Sequence, residues 1–247
     1  MTAPNGVWCS LLDIIEDANK LVELDLSECG LQGTEFNPDS SVLIGKDKIV
    51  SLALPDMAIS IKAGSLDEPA FINFSNLKAC SGANIINIGN CAFYTCSSLE
   101  TVEFPVVKDF GAFAFLECTA LESVSFPLAQ SIDFAAFSHC TALVSVEFPM
   151  AQSIGGAAFS STGSEALTIY MGDTAPSLGS GLFNGVSSKS VTVKIPEGAA
   201  GYGTIPFNNA DTTAENWGNA FRGMGWDGTN YLGEPVKENI ILTIEEY

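Results

Sequence analysis

One histidine, His139, serves all 247 residues. Ser-His-Asp or Cys-His nucleophilic catalysis would have to pass through it. It follows Ala136-Phe137-Ser138, at a place held by Thr95 and Glu117 in related clauses. That reads as an exposed, variable position. Its neighbour Cys140 belongs to a recurring set, Cys96, Cys118 and Cys140, which reads as small buried hydrophobes. The alternative is a thiolate metal site, but no fourth donor is placed. Seven cysteines leave at least one unpaired, and Cys9 with Cys29 is the pair best placed for a bridge. The glycine-rich run 179–185 lacks the Lys-Ser/Thr of a phosphate loop. The aspartates show no calcium-loop spacing. Glu103 and Glu147 would stand two strand spacings apart, about 9–10 Å. That approaches the separation of an inverting glycosidase pair, but no sugar platform accompanies them. The expectation is therefore no enzyme, no cofactor and no metal.

The elements that hold these residues repeat. Phe71, Phe93, Phe115, Phe137 and Phe159 are each 22 residues apart (93 − 71 = 22). With them recurs a clause of the form Cys-x-x-Leu-x-x-Val-x-Phe-Pro, at Cys96–Pro105, Cys118–Pro127 and Cys140–Pro149. A fixed period of this length marks a stacked repeat whose units share one core. Val102-x-Phe104 alternates as a short strand with two side chains inward. Pro105 ends it, having no N–H for a ladder. Ile88, Phe110, Ile132 and Ile154 face the core on the return. The Ala-Phe clause reads as a helical turn. Two helices do not fit in 22 residues, which excludes tetratricopeptide and ankyrin units. Earlier copies begin at Leu21 and Ile49, 28 apart (49 − 21 = 28).

Residues 1–20 are expected to hold a cap helix over 10–21. Leu11, Ile14, Ile15, Ala18 and Leu21 fall at helical spacing, and Ser10 with Asp13 resembles a capping pair. Residues 21–200 form the solenoid and 201–247 a C-terminal cap, in which Trp217 and Trp226 read as cap packing. Parallel strands would line the concave face, with short helical or irregular arcs outside. Side chains between the inward ones then form an outward strip: Glu23 and Asp25, Ser51 and Ala53, Ala79 and Ser81, Thr101 and Glu103, Ser123 and Ser125, Ser145 and Glu147. It is a row of hydroxyls and carboxylates with no aromatic anchor.

The clause Ala-Phe-x-x-Cys-x-x-Leu-x-x-Val-x-Phe-Pro resembles the Treponema-pallidum-type leucine-rich repeats of BspA-like bacterial surface proteins. Val191–Pro196 and Trp217–Trp226 resemble the segment that follows such repeats. The resemblance implies a curved solenoid, a location at the cell surface or in secretion, and adhesion to a protein partner such as a host or matrix protein. Residues 1–7 lack a cationic start followed by an apolar run, and no stretch is long enough to span a bilayer. The formal charge of −19, from 29 acidic and 10 basic residues, repels nucleic-acid phosphates and anionic lipid. It favours a partner with a basic surface. Glu23, Asp25, Thr101, Glu103, Ser123, Ser125, Ser145 and Glu147 are the expected partner-binding residues. The loops between Gly30 and Lys48 and between Asp56 and Asn73 are the competing site. A carbohydrate-binding surface module and a structural spacer are the alternative functions.

Overall fold

The structure is a computed structural model. It describes residues 6–38, 44–163, 166–179, 181–183, 190–200, 230–231, 234–235 and 241–247. The expectation for Trp217 and Trp226 lies outside them. The described residues form a parallel β-solenoid, with their one α-helix, α1 (Gly6–Ala18), at its start.

Two parallel ladders run along it. The front strands are β1 (Val22–Asp25), β3 (Ile49–Ala53), β5 (Ala79–Ser81), β7 (Thr101–Glu103), β9 (Ser123–Ser125), β11 (Ser145–Phe148), β13 (Ala166–Met171), β15 (Ser190–Ile195) and β18 (Ile241–Glu246). The back strands are β2 (Glu35–Phe36), β4 (Ser60–Ile61), β6 (Asn87–Ile88), β8 (Asp109–Phe110), β10 (Ser131–Ile132), β12 (Ser153–Ile154) and β14 (Ser177–Leu178). All seven back strands pair in one sheet. β16 (Asn230–Tyr231) and β17 (Glu234–Pro235) form a separate antiparallel pair. The back ladder was not foreseen as strand. Each of its members is two residues long, too short for alternation to register.

The Ala-Phe clause is not a helical turn. Thr95, Glu117, His139 and Ser161 take left-handed backbone angles, φ 61, 62, 58 and 53°, as do Cys91, Phe113, Ala135 and Ala157. Two left-handed non-glycine residues per period break any α-helix. In exchange, amides point along the stack. Phe71 N–H donates to Ala92 O, Phe93 to Ala114, Phe115 to Ala136, Phe137 to Ala158 and Phe159 to Leu182, all at 2.8–2.9 Å. These bonds make a third ladder and hold the strained residues in place. The turns are close enough that a Cβ on Gly155 would stand 2.5 Å from the carbonyl carbon of Asp133.

The five phenylalanines stack face to face inside. Centroids lie 4.4 Å apart for Phe71–Phe93, 4.9 for Phe93–Phe115, 5.2 for Phe115–Phe137 and 6.0 for Phe137–Phe159. Phe183 continues the stack at 5.7 Å. Phe104, Phe126 and Phe148 are buried beside them, as are Leu77, Leu99, Leu121 and Leu143.

Helix α1 packs on the first turn. It starts at Gly6, so Ser10 lies within it and is no cap. The buried stripe is Trp8, Leu12 and Ile15, whereas Ile14 and Leu21 are 66% and 62% exposed. Trp8 is the reason. Its ring meets Phe36 at 6.3 Å and its indole N–H donates to Pro38 O at 3.0 Å, which turns the helix away from the Ile14 face.

The front ladder is broken once. β1-β3-β5-β7 form one sheet and β9-β11-β13-β15-β18 another, while the back ladder runs unbroken past the gap. The break coincides with Phe110. In the back column this residue pairs with Ile88 and Ile132 and stands where the neighbouring turns have isoleucine. Its ring crosses the core and meets Phe126 edge to face at 4.7 Å and Phe148 at 6.3 Å. Extra ring volume in a filled core is relieved by backbone shift, which makes Phe110 the candidate cause of the parting. Replacing Phe110 with Ile should close the ladder. Hydrogen exchange of the Phe104 and Glu122 amides is then expected to slow towards that of Gly82 and Phe126, whose amides donate to Glu103 and Glu147. Unchanged exchange in that variant would detach the break from the ring.

Candidate binding face

The front strands carry two outward columns, because alternate residues of a strand face opposite ways. Glu23 pairs with Ser51, Ala79 and Thr101 in succession; Asp25 pairs with Ala53, Ser81 and Glu103. Past the break, Ser123 pairs with Ser145 and Ser125 with Glu147. All eight expected site residues lie on this face. Seven are exposed and Ser145 is half-buried. The structure brings them together as two groups of four, divided between β7 and β9. Glu103 and Glu147 therefore belong to different sheets, with no hydrogen-bonded ladder between β7 and β9.

The columns continue further than the sequence reading carried them. Ser145 pairs with Thr168, Thr192 and Thr243; Glu147 pairs with Tyr170, Lys194 and Glu245. The expectation of a strip without an aromatic is corrected by Tyr170. The alternation in Leu167-Thr168-Ile169-Tyr170 carried the signal. The step there is 23 and then 24 residues (168 − 145 = 23, 192 − 168 = 24), and that lengthening hid the register.

Local bonds shape the face. Ser125 donates its hydroxyl to Glu147 Oε2 at 2.6 Å. The Ser27 amide donates to Asp25 Oδ1 at 2.9 Å and holds that carboxyl below its usual range. Lys194 forms an ion pair with Glu245. Tyr170 meets Tyr247 edge to face, with centroids 6.0 Å apart. A cavity of about 160 Å³ lies elsewhere, at the ends of the early back strands, lined by Asn37, Lys62, Ser65 and Glu68.

The recurring thiols face inward, and they do more than fill space. Cys96 Sγ donates to Phe71 O at 3.8 Å, Cys118 to Phe93 O at 3.1 Å and Cys140 to Phe115 O at 3.2 Å. One turn on, Thr162 uses its hydroxyl for the same bond, to Phe137 O at 2.7 Å. Burial pushes the Cys96 and Cys140 thiols up to about 12 and raises the Cys118 thiol well above its usual value. None is a thiolate at neutral pH, as nucleophilic attack and metal binding both require. Among the described residues no three His, Cys, Asp or Glu side chains group as metal donors. All seven cysteines are free, so the expected Cys9–Cys29 bridge is absent. His139 is exposed and its backbone N–H donates to Ser160 O at 2.8 Å. No described helix is long and apolar enough to cross a membrane.

A sequence model of the BspA-type leucine-rich repeat region matches in six copies, over residues 64–189 and 108–216. The chain belongs to the BspA-type leucine-rich repeat family. The Phe71–Phe159 stack lies within the matched residues. No curated protein matches. Among solved structures, the chain is similar to a leucine-rich cell surface protein of Faecalibacterium prausnitzii. Identity is 21% and the TM-score 0.44, over 62% of this chain and 49% of that one. It is also similar to a leucine-rich repeat protein of Bacteroides ovatus. There identity is 18% and the TM-score 0.35, over 65% of this chain and 58% of that one. The chain thus spans about half the length of these two proteins.

Threonine and valine have nearly the same shape, so they isolate the thiol's bond. Cys118→Thr should be more stable than Cys118→Val by about 1 kcal/mol, one hydrogen bond to Phe93 O. Urea midpoints of the two variants measure this. Equal midpoints would leave the thiols as space-fillers only.

Proposed function

We propose that this BspA-type repeat protein is a non-enzymatic adhesin-like protein, which engages a protein partner through the front strand face. The observation that carries the reading is the register. Exposed hydroxyls and carboxylates stand in two columns on a sheet fixed by a stacked core. Many weak contacts can then act together with little ordering entropy to lose. Glu23, Asp25, Glu103 and Glu147 give the face a negative sign, in keeping with the chain's charge of −19. Complementary charge speeds encounter with a basic partner and makes the rate fall with salt. Membership of the repeat family supports a cell-surface location. The loops from 30 to 48 and from 56 to 73 are the rival site. Tyr170 and Tyr247 favour a second reading, a carbohydrate-binding module, since aromatic rings offer apolar faces with a polar tip.

Binding to a panel of immobilised matrix proteins and glycans identifies the class of partner. On a protein partner, reversing Glu103 and Glu147 together to lysine should slow association by about tenfold or more. The melting temperature should hardly move, because both side chains are exposed. Affinity that survives this double change and is lost on loop substitution would assign binding to the rim.

A further inference from the structure

The front face is not uniform, and one rung of it is built differently from the rest. The column Ser125, Glu147, Tyr170, Lys194, Glu245 runs in register across five strands. Its members stand about 4.8 Å apart from strand to strand. Lys194 is matched by Glu245 within the face. On the other side of Tyr170, Glu147 has no cation opposite it. Ser125 holds its Oε2 at 2.6 Å, which fixes the carboxylate, and Oε1 accepts no hydrogen bond among the described residues. Tyr170 is half-buried, and its edge-to-face contact with Tyr247 restrains its ring. A fixed carboxylate therefore stands beside a fixed aromatic ring.

We infer that Glu147 and Tyr170 form a subsite for an arginine side chain of the protein partner. This inference rests on the reading of the front face as the binding surface, and names the group that it selects. A guanidinium is planar. It can lie on a ring while its N–H groups reach a carboxylate, and it is weakly hydrated, so it loses little on leaving water. A lysine ammonium is a compact, strongly hydrated charge that meets the carboxylate but gains less from the ring. The face as a whole attracts either cation; this rung distinguishes them. Charge complementarity favours arginine over a sugar at the ring, because a neutral sugar would leave Glu147 without a counter-charge.

The test uses the full chain with two probes, a fluorescein-labelled Arg-Gly repeat peptide and the Lys-Gly peptide of the same length. Fluorescence anisotropy at physiological ionic strength gives both affinities. The parent should bind the arginine peptide about threefold to tenfold more tightly than the lysine one. Tyr170→Leu should abolish that preference while leaving lysine-peptide affinity unchanged. Tyr170→Phe should keep it, because the ring and not the hydroxyl carries the selection. Glu147→Gln should weaken both peptides. Equal binding of the two peptides to the parent, or a preference that survives Tyr170→Leu, overturns the subsite and leaves the front-face reading standing. If neither peptide binds the parent, both readings fail. A chitin- or cellulose-derived oligosaccharide that binds the parent and not Tyr170→Leu assigns the ring to sugar and overturns the arginine subsite. Tyr170→Phe guards against misfolding: if it too loses the preference at an unchanged melting temperature, ring selection is wrong.

Discussion

From Phe71 to Phe159 each turn is fastened to the next, beyond the strand ladders, by the N–H of the stacking phenylalanine, donated to a carbonyl 21 residues further on in the regular turns, as in Phe93 to Ala114 and Phe115 to Ala136. That bond requires the chain to advance by the same translation each time. The phenylalanine rings then fall on one another, and the front and back strands fall into register. Left-handed backbone at Thr95, Glu117 and His139 is the local cost of aiming these amides along the stack. The cysteines add to the same joint. Phe93 O accepts both the Cys96 N–H at 3.0 Å and the Cys118 thiol at 3.1 Å. The Cys position and the Phe position are thus one device, which explains why a threonine can replace the cysteine at 162.

The repeated clause made the solenoid legible, because side chains that meet every 22 residues must obey the same packing rules in each copy. Phe137 and Leu143 could be placed in the core from their recurrence alone, and both are fully buried. What resisted reading was structure that the backbone decides. The Ala-Phe clause has a helical composition, and nothing in its side chains announces a left-handed residue at His139. The back strands are pairs of residues whose only hydrophobic member is the inward one, such as Ile132 and Ile154. Phe110 was legible as a core residue, but its consequence was not, since a larger ring in an isoleucine column reveals itself only by what it displaces.

The front face shows the same division. Alternation within Thr101-Val102-Glu103 and Ser145-Val146-Glu147 put the outward residues on one side, and the register agrees. The columns beyond residue 150 were missed because the period lengthens there. With Tyr170 included, the face changes from a plain hydroxyl and carboxylate surface into one with Glu103 on one side of the break and Glu147, beside an aromatic rung, on the other. The break itself lies between Glu103 and Glu147, at the level of the core residue Phe110.

A joint repeated in this way makes the turns interchangeable by a translation of one period. Deleting residues 119–140 removes one whole period and joins Cys118 to Thr141, which restores the clause Cys-Thr-Ala-Leu. Deleting residues 119–129 removes half a period and puts strand residues against turn residues. Thermal unfolding followed by circular dichroism compares the two. A folded protein with a cooperative transition is expected for the full-period deletion and none for the half-period one. Loss of the transition in both, or its survival in both, would contradict that interchangeability.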